Sequence, residues 1–187
     1  MKKVLWLDTE TTGTNPIRNC IIQIGYQVEI ENRIVDEGSI LSAPFPDSEI
    51  EQAALDLQGV TEEQIRAYPP PKRAFQSFCS ILGKYRDQYN RADKFIMAGY
   101  NVRFDNDMLR AHFTKCGSNY FGSWFFWPCL DVASFLAKRV AETGLVLQNF
   151  QLGTVCEKFK IPLEAHDALA DIRATKRLYE ILTDDFL

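Results

Sequence analysis

The segment VLWLDTETTG, residues 4–13, joins an apolar stretch of strand type to a pair of carboxylates, a run of hydroxyl side chains and a glycine. Side chains two residues apart on a strand point to the same side, so Asp8 and Glu10 are predicted to project together where a buried strand leaves the core. Two like charges this close need a cation, and carboxylate oxygens are the ligands that Mg²⁺ or Mn²⁺ prefers. The alternative is a solvated turn in which the two acids occur by chance, and two later segments decide between these interpretations.

The last helix of the chain carries a carboxylate within its apolar face. Positions separated by three and four residues form one face of this helix, and that face contains Ala168, Asp171, Thr175, Leu178 and Leu182. A buried ionised group must be paired, protonated or metal-bound, and no Lys or Arg falls on this face. His166 precedes the helix and is predicted to lie in a loop, where a mobile imidazole suits a base.

A further acidic position, Asp105, follows a short strand in the middle of the chain. The segment KFIMAGY, residues 94–100, is predicted to be a strand that leads through Asn101, a good N-cap, into a helix over residues 102–115. Asp105 lies at the edge of the apolar stripe of this helix. His112, on the same helix, is interpreted as an ordinary helix histidine.

The remaining pattern is that of a layered α/β protein. Alternation predicts two more strands, over residues 20–30 and 33–43, which form an antiparallel meander with the first strand. Capping boxes that begin at Ser48 and Thr61 predict two short helices, and Pro69–Pro71 starts a longer one. Further helices are predicted from Leu130 to near Gly144, over residues 151–159 and from Ala168 to Leu182, with room for a short strand around residues 127–130.

Length and composition indicate a single domain over residues 1–187, large enough to bury a core without disulfides. The five cysteines are far apart and form no CxxC pair, so they are interpreted as reduced thiols of a cytoplasmic protein. Neither a signal peptide nor a membrane span is expected. The formal net charge of −4 argues against a protein that coats long nucleic acid through a broad basic surface, but not against one that holds a strand end through metal ions.

Three motifs, in this order along the chain, resemble those of the DEDDh family of 3′→5′ exonucleases. They are Asp8-x-Glu10-Thr11-Thr12-Gly13, Asn101-x-x-Phe104-Asp105 and His166-Asp167-Ala168-x-Ala170-Asp171. Softer similarity at residues 57–61 and 127–131 extends the resemblance over nearly the whole chain. It implies a ribonuclease H-like α/β fold, in which helices flank a mixed sheet of five strands and the first three strands are antiparallel.

The resemblance also implies a role for each motif residue. The ligands of two Mg²⁺ or Mn²⁺ ions would be the four carboxylates Asp8, Glu10, Asp105 and Asp171. His166 would be the general base that takes a proton from the attacking water. The backbone of Thr11 and the side chain of Glu10 would receive the terminal 3′-hydroxyl of the substrate. The other expected substrate contacts are Thr12, Asn101 and Phe104.

The function implied by the resemblance is a metal-dependent exonuclease that releases nucleoside 5′-monophosphates from the 3′ end of single-stranded or frayed DNA or RNA. Two alternatives remain: a non-catalytic module that binds nucleic-acid ends or assists a polymerase, and a nuclease of the same fold that cuts internally. A polymerase or replication partner and a homodimer are both left open. The aromatic segment from Tyr120 to Trp127 is interpreted as core or lid packing, with a base-stacking platform as the alternative.

Overall fold

A mixed sheet of five strands forms the centre of the protein, as the sequence predicts. The computed structural model describes residues 2–163 and 167–184. The strands are β1 Lys3–Thr11, β2 Ile21–Ile30, β3 Arg33–Leu41, β4 Ile96–Gly99 and β5 Leu130–Asp131. Their order across the sheet is β3-β2-β1-β4-β5, so β1 is the middle strand.

The strand directions place three carboxyl ends at one edge of the sheet. β1 pairs with β2, and β2 with β3, in antiparallel fashion, which confirms the predicted meander. β4 is parallel to β1, and β5 is parallel to β4. The carboxyl ends of β1, β4 and β5 therefore meet at the same edge, where ligands of open α/β sheets commonly bind.

Eight helices cover the sheet within the described residues. They are α1 Gln52–Gln58, α2 Glu62–Arg66, α3 Pro71–Gly83, α4 Arg103–Lys115, α5 Phe121–Trp124, α6 Val132–Thr143, α7 Leu152–Phe159 and α8 Ala168–Thr183. None of these helices is long and apolar enough to cross a membrane. All five cysteines are free of disulfide bonds.

Alternation along β1 divides the core between the two faces of the sheet. Leu5 and Leu7 pack on the side of α3 and α4, in a cluster that includes Phe78 and Met108. Val4 and Trp6 pack on the other side, against side chains of α6, α7 and α8. Because successive side chains of a strand point to opposite faces, the same alternation directs the polar residues that follow toward α4 or toward α8.

Two of the three predicted helix caps are wrong. The capping box of α2 is confirmed, since Thr61 and Gln64 exchange both of its hydrogen bonds. At Ser48 the predicted box does not form, and α1 begins at Gln52, after the N-cap Glu51. The backbone N–H of Glu51 donates to the carbonyl of Thr12 at 2.8 Å, which ties this residue to the loop after β1 and sets the start of the helix.

Asn101 does not cap α4 as predicted. It adopts a left-handed conformation with a φ of 55°, and Val102 occupies the N-cap position. The backbone N–H of Asn101 donates to Oδ1 of Asp131 at 2.9 Å, so a contact from β5 fixes this residue. Asparagine tolerates a positive φ better than most residues, which makes the bend after β4 accessible.

The aromatic segment after α4 is partly core and partly surface. Phe121 and Phe125 are buried and pack edge-on or tilted against Phe113 and each other, which confirms the core interpretation for these two rings. Tyr120 and Trp127 remain 73% and 88% exposed. The segment is therefore not a single packing unit.

Candidate active site

The structure brings three carboxylates together where β1 leaves the core. One oxygen each of Asp8, Glu10 and Asp171 lies within 4.8 Å of the others, and all three residues are half-buried. Asp8 and Glu10 are two positions apart on β1 and continue the face that Val4 and Trp6 begin. Asp171 reaches them from the first turn of α8.

A glycine allows α8 to approach this closely. Gly25 on β2 lies opposite Asp8 in the antiparallel register. A methyl group placed on Gly25 would come within 2.6–2.8 Å of the backbone and Cβ of Ala168, the first residue of α8. The helix therefore rests directly on the sheet beside Asp8, and a larger residue at position 25 would hold Asp171 away from its partners.

A polar contact fixes α8 two turns further along. Glu29 of β2 is buried, and its carboxylate accepts a hydrogen bond from Nε1 of Trp6 at 3.0 Å. The same oxygen lies 3.2 Å from Nζ of Lys176 on α8. Glu29 thus joins β1, β2 and α8. These contacts fix the helix against β1, which carries Asp8 and Glu10, and against its neighbour β2.

Burial and mutual repulsion disfavour ionisation of the clustered acids. Burial, followed by the charges of Asp105, Asp171 and Glu10, raises the pKa of Asp8 well above its usual range. Burial and then the charge of Asp171 raise the pKa of Glu10 to about 7. A site that holds several carboxylates under such conditions favours a bound cation, which would restore their ionised form.

Asp105, the fourth predicted ligand, lies on the other side of β1. It is 3% exposed, and its Oδ1 accepts hydrogen bonds from the backbone N–H of Thr9 at 2.9 Å and from the Thr9 hydroxyl at 2.7 Å. Burial raises the pKa of Asp105 to about 7, although the two bonds from Thr9 oppose that shift. Both bonds end on the same oxygen, so Oδ2 is the oxygen that could reach toward the cluster.

The loop after β1 holds the predicted substrate residues Thr11 and Thr12. Thr12 is fully buried, and its hydroxyl donates to the carbonyl of Glu49 and accepts from the N–H of Cys20. Thr12 therefore supports the loop, and a direct substrate contact would require the loop to open. The carbonyl of Thr11 accepts a hydrogen bond from Nε2 of Gln58 at 2.8 Å, which fixes the backbone beside Glu10.

The other two predicted substrate residues lie at the start of α4. Asn101 is exposed at the carboxyl end of β4, beside Asp131 at the end of β5. Phe104 is half-buried and packs against the core cluster on the α4 side of the sheet. Both positions belong to the edge of the sheet at which the acids lie.

Of the two histidines in the chain, His112 lies within the described residues and His166 does not. His166, the predicted general base, lies outside the described residues. His112 is 2% exposed on α4 and packs against Phe45 and Phe75. Burial lowers the pKa of His112 to about 4, as expected for a neutral core histidine. This supports its interpretation as an ordinary helix residue.

The donor set fits a hard divalent cation. Among the described residues the cluster consists of carboxylates, and Mg²⁺ and Mn²⁺ prefer oxygen ligands, whereas Zn²⁺ commonly recruits His or Cys. The three acids come from two separated parts of the chain, β1 and α8, which the close contact at Gly25 holds together. Their convergence is therefore built into the fold.

Sequence reasoning missed three residues that support the site. Thr9 holds Asp105, Gly25 admits α8, and Gln58 holds the backbone of Thr11. Thr9 carried a local signal, because it stands between the two acids and must face the opposite side of the strand. Gln58 lies in the family-like segment 57–61, but that similarity assigns it no role. The contacts of Gly25 and Gln58 depend on the packing of elements that are distant in sequence.

Residues 5–179 match the RNase_T family, which is described as an exonuclease family. Similar proteins include PolC-type DNA polymerase III of Halalkalibacterium halodurans, 26% identical over 173 residues, and of Pediococcus pentosaceus, 28% identical over 186 residues. These matches cover 91% and 98% of this chain but 11% of each relative. The chain thus spans about a tenth of the length of these polymerases.

Solved structures of E. coli exonuclease I share the fold. The complex with a 5cy-dT13 oligonucleotide superposes with a TM-score of 0.81 at 21% identity, covering 98% of this chain and 41% of that one. The zinc-bound complex with single-stranded DNA gives a TM-score of 0.80 at 21% identity, covering 99% and 41%. The similarity extends over the whole sheet and its flanking helices, in agreement with the ribonuclease H-like fold expected from the motifs.

Proposed function

This chain belongs to the RNase_T exonuclease family, and we propose that it is a metal-dependent 3′→5′ exonuclease. The substrate would be single-stranded or frayed nucleic acid, and the products nucleoside 5′-monophosphates. The observation that carries the proposal is the meeting of Asp8, Glu10 and Asp171 at the carboxyl end of β1. Without these three acids, family membership alone would not support metal-dependent hydrolysis.

Asp8, Glu10 and Asp171 would hold the metal, with Asp105 as the fourth ligand. A pair of Mg²⁺ or Mn²⁺ ions, when bound, would supply Lewis-acid stabilisation of the charge that develops on the phosphodiester and would make the attacking water more acidic. The protein contributes the position of the acids. Thr9 fixes Oδ1 of Asp105, which leaves Oδ2 for the ligand role, and the Gly25 contact fixes Asp171.

His166 would take the proton of the attacking water. Its sequence position, two residues before the first residue of α8, puts it within a short segment of Asp171. A neutral imidazole is a suitable base near the pH of a cell because its ordinary pKa is about 6.5. Since His166 lies outside the described residues, this role rests on the motif alone.

The 3′ end of the strand would be received by the loop after β1. Thr11 offers a backbone held in place by Gln58, and Glu10 offers a carboxylate oxygen beside it. Phe104 and Asn101 would contact the terminal nucleotide from the start of α4. The exonuclease I complexes with single-stranded DNA favour DNA as the substrate, and the PolC-type relatives favour a polymerase partner.

Digestion of oligonucleotides that differ only at the 3′ end tests this proposal. We expect an oligonucleotide with a free 3′-hydroxyl to be shortened stepwise in Mg²⁺, with nucleoside 5′-monophosphates as products, and a 3′-phosphate-blocked oligonucleotide to resist. Equal cleavage of both would indicate an internally cutting nuclease. Binding of both without cleavage would indicate a non-catalytic end-binding module.

A matched pair of DNA and RNA oligonucleotides identifies the sugar preference. We expect the DNA oligonucleotide to be digested faster than the RNA oligonucleotide of the same sequence. A faster reaction with RNA would assign the protein to RNA processing while leaving the exonuclease chemistry unchanged.

A further inference from the structure

A single carboxylate oxygen joins the end of β4 to the start of α6. Oδ1 of Asp131, the last residue of β5, accepts a hydrogen bond from the backbone N–H of Asn101 at 2.9 Å. The same oxygen accepts the N–H of Ala133 at 3.1 Å, which makes Asp131 the N-cap of α6. The second bond is ordinary helix capping. The first connects Asp131 to the bend that leads from β4 into α4, the helix that carries Asp105.

The bend after β4 is strained and lies against β1. Asn101 has a φ of 55°, a conformation that costs free energy in most residues other than glycine and persists where surrounding contacts hold it. Two residues earlier, a methyl group on Gly99 would come within 2.7 Å of the carbonyl of Leu7, the residue before Asp8. The bend that Asp131 contacts is therefore next to the strand that carries the acidic cluster.

The same bend sets the start of α4. The carbonyl of Asn101 accepts the N–H of Phe104 at 3.0 Å, which helps to close the first turn of α4, the turn that contains Asp105. Asn101 thus bonds to β5 through its N–H and to α4 through its carbonyl. A change in the backbone at Asn101 would therefore rotate the first turn of α4 and move Asp105 relative to Thr9 and to the other acids.

We propose that Asp131 is a positioning residue of the active site. Its bond to Asn101 holds the bend after β4 in the left-handed conformation, and the bend holds Asp105 where its Oδ2 is available to a metal ion. This inference rests on the exonuclease function proposed above and adds a residue of β5 to it. Capping of α6 alone would need only a short acceptor such as a serine hydroxyl, whereas contact with Asn101 as well needs the longer carboxylate.

Asp131→Ser separates the two hydrogen bonds of this oxygen. Serine is a good N-cap, so α6 stays capped, but its hydroxyl is one bond closer to the backbone and should not reach Asn101. In digestion of a single-stranded oligonucleotide, we expect kcat/KM to fall roughly 10-fold or more, because the lost hydrogen bond has a charged acceptor. The Mg²⁺ concentration that gives the half-maximal rate should rise, because Asp105 is displaced. Asp131→Asn keeps an oxygen at the original reach and should restore most of both values.

Two measurements do not depend on activity. The N–H of Asn101 should exchange with solvent slowly in the wild type and in Asp131→Asn, and faster in Asp131→Ser. The Mg²⁺ concentration that half-saturates the rise in melting temperature should be higher in Asp131→Ser than in the other two proteins. Thr61→Ala is the matched control, since it removes the side-chain cap of α2 instead. It should lower stability but leave the rate, the Mg²⁺ requirement and the exchange of Asn101 unchanged.

The outcomes separate this inference from the function on which it rests. A wild-type rate and Mg²⁺ requirement in Asp131→Ser would overturn the positioning role and leave the exonuclease function intact. Equal losses in Thr61→Ala would also overturn it, because they would show a general effect of stability. If Asp131→Asn were as impaired as Asp131→Ser, the charge of Asp131 and not its bond to Asn101 would matter, which contradicts the proposal. A wild-type protein that digests no oligonucleotide would instead contradict the exonuclease function, while the exchange and melting measurements would still test Asp131.

Discussion

Asp8 has opposite effects on stability and on catalysis. Burial and the neighbouring acids Asp105, Asp171 and Glu10 raise its pKa, which means that its ionised form destabilises the metal-free fold. The same ionised form is the one that binds a cation. The folded protein is therefore less stable when this site is empty, and a bound cation stabilises it.

Asp8→Asn should therefore raise stability and abolish activity. In EDTA, we expect a melting temperature a few degrees above that of the wild type, since about 1 kcal/mol corresponds to roughly 2–4 °C in a protein of this size. In Mg²⁺, hydrolysis should fall by about 10³ or more, because metal stabilisation of the transition state is worth several kcal/mol. Thermal melts and single-turnover digestion measure both effects. Near-wild-type hydrolysis in Mg²⁺ would remove Asp8 from the metal site.

Thr9 is expected to position Asp105 through its hydroxyl. Thr9→Val keeps the shape of the side chain and the backbone bond but removes the 2.7 Å hydrogen bond to Oδ1. We expect kcat/KM to fall roughly 10-fold or more, because a hydrogen bond to a charged group contributes about 1.5–3 kcal/mol. The Mg²⁺ concentration that half-saturates the melting-temperature shift should rise as well.

Thr9→Ser is the matched control, since it keeps the hydroxyl. It should behave like the wild type in both measurements. If Thr9→Val also matched the wild type, the hydrogen bond would have no part in metal binding, and the backbone N–H of Thr9 would suffice to hold Asp105.

His112 should make the protein less stable in mild acid. Its pKa is about 4 in the folded protein, below the ordinary 6.5, so the unfolded chain binds the proton more readily. Above about pH 6.5, His112 is neutral in both the folded and the unfolded protein and does not lower stability. As the pH falls toward about 4, protonation of the unfolded chain lowers the free energy of unfolding. Over that range, the loss approaches roughly 3 kcal/mol.

Comparison with His112→Leu isolates this effect from the acidic cluster, whose raised pKa values act in the opposite sense. The free energy of unfolding of the wild type relative to the variant should fall as the pH decreases from about 7 to about 4. Urea melts at several pH values measure it. A difference that stayed constant with pH would show that His112 is accessible to protons in the folded state.

At the scale of elements, the position of α8 decides whether the site exists. Gly25→Ala places a methyl group within 2.6–2.8 Å of Ala168, so the helix must shift or the strand must bend. We expect a loss of stability of about 1–3 kcal/mol, as in other overpacked cores, and a larger loss of activity. The metal-induced rise in melting temperature should shrink, because Asp171 moves away from Asp8 and Glu10.

Gly83→Ala is the control for this change. Gly83 ends α3, and a methyl group there would meet no atom within 4 Å. This variant should match the wild type in activity or be slightly more stable, since alanine favours helix more than glycine does. Wild-type activity in Gly25→Ala would show that α8 can place Asp171 without the close contact.

The starts of the helices show where the local sequence alone no longer predicts the structure. The capping box at Thr61 forms as predicted, because both of its partners are on the same turn of chain. The predicted cap at Asn101 and the predicted box at Ser48 fail. The N–H of Asn101 donates to Asp131 and the N–H of Glu51 donates to Thr12, and these two hydrogen bonds fix the helix starts. Such contacts join segments that are distant in sequence, and no local pattern predicts them.

At the scale of the whole molecule, the sequence predicts the sheet and most of the acidic site. The alternation of β1 predicts both packed faces and the common direction of Asp8 and Glu10. The apolar face of α8 predicts that Asp171 is directed at the sheet. The separate position of Asp105 is not predicted, because it depends on the hydrogen bonds with Thr9. The prediction of a single domain over residues 1–187 stays a prediction.

Diffraction from crystals soaked in Mn²⁺, recorded for the anomalous signal of manganese, tests the central claim most directly. The claim is that Asp8, Glu10 and Asp171 form the metal site of an exonuclease. We expect an anomalous peak about 2 Å from carboxylate oxygens of these residues, and a second peak within reach of Oδ2 of Asp105. Crystals of Asp8→Asn should lose the first peak. A wild-type crystal with no manganese at these carboxylates, or with manganese bound only elsewhere, would contradict the account.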